Sequence, residues 1–221
     1  MTRERPNFED AYRTNSNVFG FEYSDGLAAC VSKYAALPCK VLDVGCGQGR
    51  NAIWLASQGY DVVAIDSSHA AIESVRSRAR LSNVRIDARV GDISTCDIET
   101  AEFGLIVVIT TLNHLKNEVI PRTCGKLCNA LSCNGILYCV SFTTDDPGFK
   151  KTSQDVSEWA YLVKHYFEPG ELRGLFRGLK ILEYTEYVKV DDSHGRQHLH
   201  GKAKLVGENA RNNMGSFKLD L

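Results

Sequence analysis

The feature that most constrains the fold is an alternation of two periodicities between residues 41 and 142. Short runs rich in β-branched residues are each followed by a segment whose apolar side chains have helical spacing. This alternation is typical of a parallel sheet with helices on both faces. It predicts five strands: Val41 to Val44, Asp61 to Ile65, Val84 to Val90, Phe103 to Ile109 and Ile136 to Phe142.

The composition of two strands predicts where they lie in the sheet. Leu105 to Ile109 is apolar at every position, as a central parallel strand must be. In the third strand Arg85, Asp87 and Arg89 alternate with apolar residues. That pattern predicts an edge strand, or a strand with one face in water.

The segments between and after these strands predict helices and a hairpin. A helix from Asn51 to Gln58 ends at Gly59, and a second helix begins after Ser68. Two further β-like runs, 179–190 and 198–206, flank turn-forming residues. They predict a terminal antiparallel hairpin.

Composition limits the class of protein. The chain has 221 residues, of which 43% are hydrophobic, so it can form one compact domain with a large core. With 26 basic and 27 acidic side chains it has no excess of positive charge, which argues against a nucleic-acid partner. The polar first 20 residues and the short apolar runs predict neither secretion nor membrane anchoring, so we expect a cytoplasmic protein.

The cysteines are expected to be reduced thiols. There are eight of them, without a signal peptide to indicate an oxidising compartment. Cys124, Cys128 and Cys133 lie near one another but lack the CxxC spacing of structural zinc sites, so we expect small buried residues on a helix and no metal.

The first strand runs directly into a glycine-rich loop. Gly45, Gly47 and Gly49 alternate with other residues before the helix. Glycine is needed where a backbone bends sharply and approaches a ligand without a Cβ in the way. A dinucleotide site spaces its third glycine one residue later, in the order G-x-G-x-x-G. The loop alone leaves both a ligand site and a structural turn open.

Two acidic residues fall at the C-terminal ends of strands, where open α/β sheets bind ligands. Asp66 ends the second strand, and its carboxylate can accept hydrogen bonds from both hydroxyls of a ribose. Asp92 ends the third, where it can accept from an adenine amino group while Ile93 offers an apolar surface to the ring. Either acid alone could be a helix cap or a solvated loop residue. Together with the glycine loop they predict a nucleoside site.

These residues resemble a known family. The stretch from Leu42 to Asn51, continued by Trp54 to Ala56 and Gly59 to Asp66, resembles the tellurite-resistance and thiopurine-type branch of the class I S-adenosylmethionine-dependent methyltransferases. Phe167 to Leu172 and His194 to Gly201 are similar to that branch too. The resemblance covers most of the chain.

The resemblance implies an α/β fold with a Rossmann-like, doubly wound and mostly parallel sheet of seven strands in the order 3-2-1-4-5-7-6, strand 7 antiparallel. It implies an N-terminal lid and helix (1–36), a methyltransferase domain (37–207) and a C-terminal tail (208–221). Its cofactor is S-adenosylmethionine, which lacks a pyrophosphate and lays its methionine moiety across the glycines. The implied cofactor-binding residues are Tyr12, Phe19, Asp43, Gly45, Cys46, Gly47, Gly49, Arg50, Asn51, Asp66, Ser67, Asp92, Ile93 and Thr110.

The acceptor is expected to be a small molecule, and the resemblance implies a soft one, a thiol or a chalcogen oxyanion. Four residues are candidates for orienting or deprotonating it: His114, Arg196, His198 and His200. For His114, a helix-start histidine bonded to nearby backbone is an equal alternative.

The last two histidines share one face of a strand near His194, which fits a substrate-facing patch, a solvated strand face or a metal site. The resemblance weakens from 143 to 166, where Trp159, Tyr161, Tyr166 and Phe167 could wall the acceptor pocket or pack the edge of the sheet.

Two other functions remain open from the sequence. A nicotinamide-dependent oxidoreductase also places an acid on a ribose at the end of its second strand, but the glycine spacing, Asp92 and the terminal hairpin disfavour it. A non-catalytic protein that holds S-adenosylmethionine as a ligand would keep the same loop and acids. The sequence does not predict the oligomeric state.

Overall fold

The computed structural model describes residues 7–35, 39–150, 156–192 and 195–210. Seven strands form a single sheet. They are β1 (Lys40–Val44), β2 (Asp61–Asp66), β3 (Ile86–Val90), β4 (Phe103–Ile109), β5 (Leu131–Phe142), β6 (Lys180–Asp191) and β7 (His198–Glu208).

Helices cover both faces of the sheet. The α-helices are α1 (Phe8–Thr14), α2 (Asp25–Tyr34), α3 (Arg50–Ser57), α4 (His69–Leu81), α5 (Ile120–Ala130), α6 (Pro147–Lys150) and α7 (Glu171–Leu175). Short 3₁₀ turns at Leu112–His114, Asn117–Val119 and Ala160–Leu162 complete the described elements. Ser68 caps α4 by accepting a hydrogen bond from the Ala71 N–H at 3.0 Å.

The strand order is β3-β2-β1-β4-β5-β7-β6, as the family resemblance implies. Strands β1 to β5 pair in parallel, and β7 is antiparallel to both β5 and β6. The predicted hairpin and the edge position of β3 are confirmed. The prediction that β4 is central is confirmed as well, because its residues 105–108 are fully buried between β1 and β5.

The sheet has a hydrophobic core on each face because its central strands are apolar in both directions. Leu42, Ile106 and Leu137 pack with α5 and α7 on one face. On the other face Val41 and Val107 pack with α2, α3 and α4. The two cores hold the C-terminal ends of β1, β2 and β4 side by side, and the candidate site lies at that edge.

Some sequence-based boundaries are wrong in detail. Strand β3 begins at Ile86, and β5 begins at Leu131, so Cys133 lies in that strand and not on the expected helix. Cys124 and Cys128 are buried on α5 as expected. The expected domain boundary at residue 207 falls inside β7, while residues 1–6 and 211–221 lie outside the described part of the chain. No described helix is long and apolar enough to cross a membrane.

Candidate functional site

The glycine loop turns sharply between β1 and α3. Gly45, Gly47 and Gly49 have φ of +64°, +52° and +86°, in the left-handed region that favours glycine. The backbone N–H groups of Gly45 and Cys46 donate to the Ile65 carbonyl at 2.8 and 3.1 Å. The loop is thereby tied to the end of β2, where Asp66 follows.

The three glycines have different tasks. A Cβ on Gly45 would lie 2.4 Å from Thr111 Oγ1, and that hydroxyl donates to the Val44 carbonyl at 2.7 Å. Gly45 and Gly47 line a cavity above the sheet. Gly49, an expected cofactor residue, does not line it. It caps α3 and packs against Val75 of α4, where a Cβ would meet a methyl group at 2.9 Å.

Asp66 is held by backbone donors on two elements. Its Oδ2 accepts from Gly47 N at 2.9 Å and its Oδ1 from Ser68 N at 2.9 Å. Burial raises the pKa of Asp66, while these two N–H groups lower it. The carboxylate lies in the cavity wall and keeps acceptor capacity for two ribose hydroxyls.

Asp43 gives the clearest test of whether the residues fit S-adenosylmethionine. Its side chain is 2% exposed, and its Oδ2 has no hydrogen-bond partner among the described residues. Burial and, to a smaller extent, the Asp66 carboxylate raise the pKa of Asp43 to about 7, although Arg50 acts in the opposite direction. A buried unpaired acceptor in a cavity wall fits an ammonium group. The methionine part of the cofactor carries one, so the site fits the group.

Asp92 and Ile93 lie at the end of β3 and line the same cavity. Asp92 is exposed, and its Oδ1 accepts from the backbone N–H and hydroxyl of Ser94 at 2.8 and 2.7 Å. Ile93 is 5% exposed and offers an apolar surface. The adenine assignment remains a prediction that this arrangement permits.

A lid formed by α1 and residues 15–24 covers the cavity, and side chains of the glycine loop and α3 hold it. Gln48 Oε1 accepts from Val18 N at 2.9 Å, and Gln48 Nε2 donates to the Asn15 carbonyl at 2.8 Å. Arg50 Nη1 donates to the Phe19 carbonyl at 2.8 Å, and Asn51 Oδ1 accepts from Ser24 N at 3.0 Å. Arg50 and Asn51 therefore hold the lid in place and also line the cavity.

The lid is also fastened to α4. Glu9 Oε2 accepts from Ser68 Oγ at 2.6 Å and from Ala70 N at 3.1 Å, at the positive end of that helix. These bonds lower the pKa of Glu9 to about 2. Arg78, on the same helix, donates to the Gln48 carbonyl at 3.0 Å and lies over the Phe21 ring.

Aromatic rings close the cavity where β4 ends. The Phe8 ring lies 4.8 Å from the His114 ring and 6.1 Å from Trp159, and Phe19 lies 5.8 Å from Trp159. Tyr12 stacks on Phe8 at 5.9 Å. A cage of rings suits a cofactor that carries a positive sulfonium, because aromatic faces attract cations.

The cavity has a volume of about 1160 Å³, and Arg50, Asn51, Ser67 and Thr110 are in its wall. Ordinary ligand pockets measure roughly 300–1,000 Å³. It therefore has room for a cofactor and a second small molecule. Thr110 ends β4 with φ of +55°, an uncommon conformation for a threonine that sharply turns the chain at the expected position of the transferred group.

The four candidate acceptor-handling residues do not all reach the cavity. His114 and His200 are in its wall, whereas His198 and the exposed Arg196 are not. His114 Nδ1 lies 3.0 Å from the Leu162 carbonyl, and burial lowers its pKa. His198 and His200 are 5% and 4% exposed, so a solvated strand face is wrong. His194 lies outside the described residues.

The aromatic residues between β5 and β6 divide between cavity and core. Trp159 and Tyr166 are in the cavity wall, and both have a buried donor without a partner in the described structure, Nε1 and Oη. Phe167 is fully buried in the core of the sheet, and Tyr161 is not in the cavity wall.

Sequence reasoning missed several residues that shape the site. Glu9, Gln48 and Arg78 hold the lid through contacts that join positions far apart in the chain. Asp146, 2% exposed in the cavity wall, follows β5 in the segment where the family resemblance is weakest. The one signal in the sequence was the pair of acids at 145–146 directly after a buried strand.

Residues 41–135 match the methyltransferase domain family. The chain is 27% identical over 164 residues to a Haemophilus influenzae protein described as a probable S-adenosyl-L-methionine-dependent methyltransferase, TehB, covering 72% of this chain and 54% of that protein. It is 35% identical over 99 residues to a ubiquinone biosynthesis O-methyltransferase from Methylocella silvestris, covering 43% of this chain and 39% of the relative.

The fold agrees with solved structures. The TehB crystal structure superposes with a TM-score of 0.69 at 24% identity, covering 84% of this chain and 62% of TehB. A solved structure described as the conversion of a disulfide bond into a thioacetal group during echinomycin biosynthesis superposes with a TM-score of 0.71 at 17% identity, covering 91% of each chain. This chain spans about half the length of TehB. With its methyltransferase domain, glycine loop, acids and sheet order, the chain resembles the class I S-adenosylmethionine-dependent methyltransferases of the TehB type.

Proposed function

We propose that this protein transfers the methyl group of S-adenosylmethionine to a small, soft nucleophile, either a thiol or a chalcogen oxyanion. The observation that supports this acceptor class is the pair of buried donors without described partners, Trp159 Nε1 and Tyr166 Oη. Both residues lie in the cavity wall, and an anion or a lone-pair-rich atom would accept from them.

The cofactor, when bound, supplies an activated methyl group. The residues of this chain bind and orient the reactants and exclude water from them. Asp43 would bind the ammonium, Asp66 the ribose hydroxyls, and Asp92 with Ile93 the adenine. Phe8, Phe19 and Trp159 close over the reacting end and exclude water.

Holding two reactants in line can lower the activation free energy by on the order of 7–11 kcal/mol. A thiol with a pKa of about 8.5 is already partly ionised at neutral pH, so orientation does most of the work for such an acceptor.

The acceptor class is tested by following S-adenosylhomocysteine formation with alkyl thiols, selenite, tellurite and, because of the O-methyltransferase relative, catechols. We expect turnover with thiols or the oxyanions. Trp159→Phe and Tyr166→Phe each remove one donor and should raise KM for the acceptor. Tyr166 is outside the aromatic cage, so Tyr166→Phe should also leave S-adenosylhomocysteine affinity unchanged. Turnover of catechols alone would replace the proposed acceptor class, and cofactor binding without any turnover would favour a non-catalytic binding protein.

A further inference from the structure

Three buried residues form a connected unit at the far end of the cavity. Asp146 precedes α6, and His198 and His200 lie on β7; their exposures are 2%, 5% and 4%. Asp146 and His200 are in the cavity wall. Phe142, at the end of β5, stacks on the His200 ring with centroids 4.5 Å apart. The cofactor contacts described above use none of these residues.

Hydrogen-bond partners fix a proton on Nδ1 of each ring. His200 Nδ1 lies 2.7 Å from Asp146 Oδ2, which also accepts from Gly201 N at 3.2 Å, while Asp146 Oδ1 accepts from Gly148 N at 2.8 Å. Both carboxyl oxygens of Asp146 already act as acceptors for backbone N–H groups, so the imidazole is the donor in its contact with Oδ2. His198 Nδ1 lies 2.7 Å from the Arg196 carbonyl, which can only accept.

The two remaining ring nitrogens face each other. His198 Nε2 and His200 Nε2 are 3.0 Å apart, a normal hydrogen-bond distance that requires a proton between them. Two imidazoles would then carry three protons and one positive charge, which the Asp146 carboxylate balances. Without that proton, the two imidazoles have only two protons for three contacts: the two Nδ1 contacts and the Nε2–Nε2 contact. The neutral pair can therefore take up one more proton.

A metal ion fits this gap less well than a proton. Tetrahedral zinc with bonds of about 2.0–2.1 Å would hold its ligand nitrogens roughly 3.4 Å apart. The described residues also contain no group of three or more His, Cys, Asp or Glu side chains placed to hold a metal.

We propose that Asp146, His200 and His198 form the proton-accepting unit for acceptors that must lose a proton before methylation. This inference rests on the proposed function and adds to it. The S–H or O–H bond of the acceptor breaks, its electron pair stays on the acceptor atom, and the proton is taken up by the histidine pair, where it forms an N–H bond shared by His200 Nε2 and His198 Nε2. The histidine pair gains the positive charge that the acceptor loses. Asp146 is a positioning residue that orients His200 and stabilises its charged form.

The surroundings favour release of that proton after the reaction. Burial lowers the pKa of His200, and Lys202 lowers it further while Asp146 raises it. Lys202 pairs with Asp191 at 3.2 Å, and across the β6–β7 ladder Lys189 and Asp191 stand opposite His200 and His198. From the segment before α7, Tyr166 adds a hydroxyl close to Gly148.

The first test observes the protons directly and needs no acceptor. With ¹⁵N-labelled histidine and S-adenosylhomocysteine bound, NMR should show Nδ1–H on both rings and one proton coupled to both Nε2 atoms, lost in a single step as pH rises. Asp146→Asn should abolish the shared-proton signal. His165→Gln, which breaks a His–carboxylate contact of 2.8 Å outside the unit, should leave it intact. Two rings that titrate independently would overturn the inference.

The second test is the pH dependence of methylation. At pH 7, Asp146→Asn and His200→Gln should each slow methylation of an alkyl thiol by roughly 100-fold, which is within the range of acid–base catalysis. The same variants should slow methylation of an aryl thiol much less, because that thiol is already ionised. Above the pKa of the alkyl thiol the loss should shrink. An equal loss for both thiols at every pH would mean a structural role and would overturn the inference. If the unmodified protein does not bind S-adenosylhomocysteine, the proposed function itself is refuted.

Discussion

The buried carboxyl group of Asp43, whose Oδ2 has no partner among the described residues, predicts that ionisation of this side chain destabilises the cofactor-free protein. In the unfolded chain this carboxyl has its ordinary pKa of 3.8, and burial raises that pKa to about 7 in the fold. An acid whose pKa is higher in the folded state than in the unfolded state keeps its proton longer in the fold. The free energy of unfolding therefore falls as pH rises from about 4 to 7, and the whole decrease is present above pH 7. At 1.36 kcal/mol per pKa unit, that cost is on the order of 4 kcal/mol.

The variant Asp43→Asn removes this ionisation and keeps the shape of the side chain. Its free energy of unfolding relative to the unmodified protein should therefore improve with pH. Between pH 5 and pH 8 the relative gain should grow by on the order of 2–3 kcal/mol, which urea denaturation without cofactor measures. Any pH-independent effect of the new amide on stability cancels when the values at pH 5 and pH 8 are compared. A difference between the two proteins that is independent of pH would refute the interpretation of Asp43.

Cofactor binding supplies the second half of this prediction. An ammonium beside Asp43 favours the carboxylate, so binding at pH 6 should release a proton and binding at pH 8 should not. Calorimetry of S-adenosylhomocysteine binding in two buffers of different ionisation enthalpy measures that release. Identical apparent enthalpies in the two buffers at pH 6 would place the ammonium elsewhere.

Three further variants test the loop, the ribose site and the lid. Gly45→Ala should destabilise the fold and abolish cofactor binding, because it combines left-handed strain of about 1–2 kcal/mol with a Cβ 2.4 Å from Thr111 Oγ1. Gly59→Ala is the matched control, since Gly59 has φ of +91° and open space around it; equal stability losses would show that the Thr111 contact is unimportant. Asp66→Ala should weaken cofactor binding by at least tenfold and reduce stability much less, and equal losses would make Asp66 a structural residue. Gln48→Ala should accelerate hydrogen exchange in residues 15–20 at nearly unchanged melting temperature, whereas unaltered exchange would mean that its bonds to Val18 and Asn15 do not hold the lid.

The central part of the fold could be predicted because its signals are local. An all-apolar β4, a charged alternation in β3 and glycines after β1 each report on burial or backbone conformation within a few residues. The order of the strands came from the family resemblance, and the pairing confirms it. Helix and strand ends shifted by a few residues where competing contacts decide them, as at the start of β5.

The site could be predicted only in part. Asp66 and Asp92 were predicted because a parallel sheet brings the ends of its strands together, and Asp43 was implied by the family resemblance. Gly49 was assigned to the cofactor, although the close approach of α4 is what requires it. Glu9, Gln48 and Asp146 act through partners 30 or more positions away, such as Ser68, Val18 and His200, and no periodicity in a sequence reports such contacts.

The roles assigned to the site residues all depend on the cofactor being S-adenosylmethionine, and one measurement tests that identity most directly. Purified protein is titrated calorimetrically with S-adenosylhomocysteine and, in parallel, with NADH. We expect micromolar binding of S-adenosylhomocysteine and none of NADH. Binding of NADH alone, or of neither ligand by a well-folded sample, would contradict it.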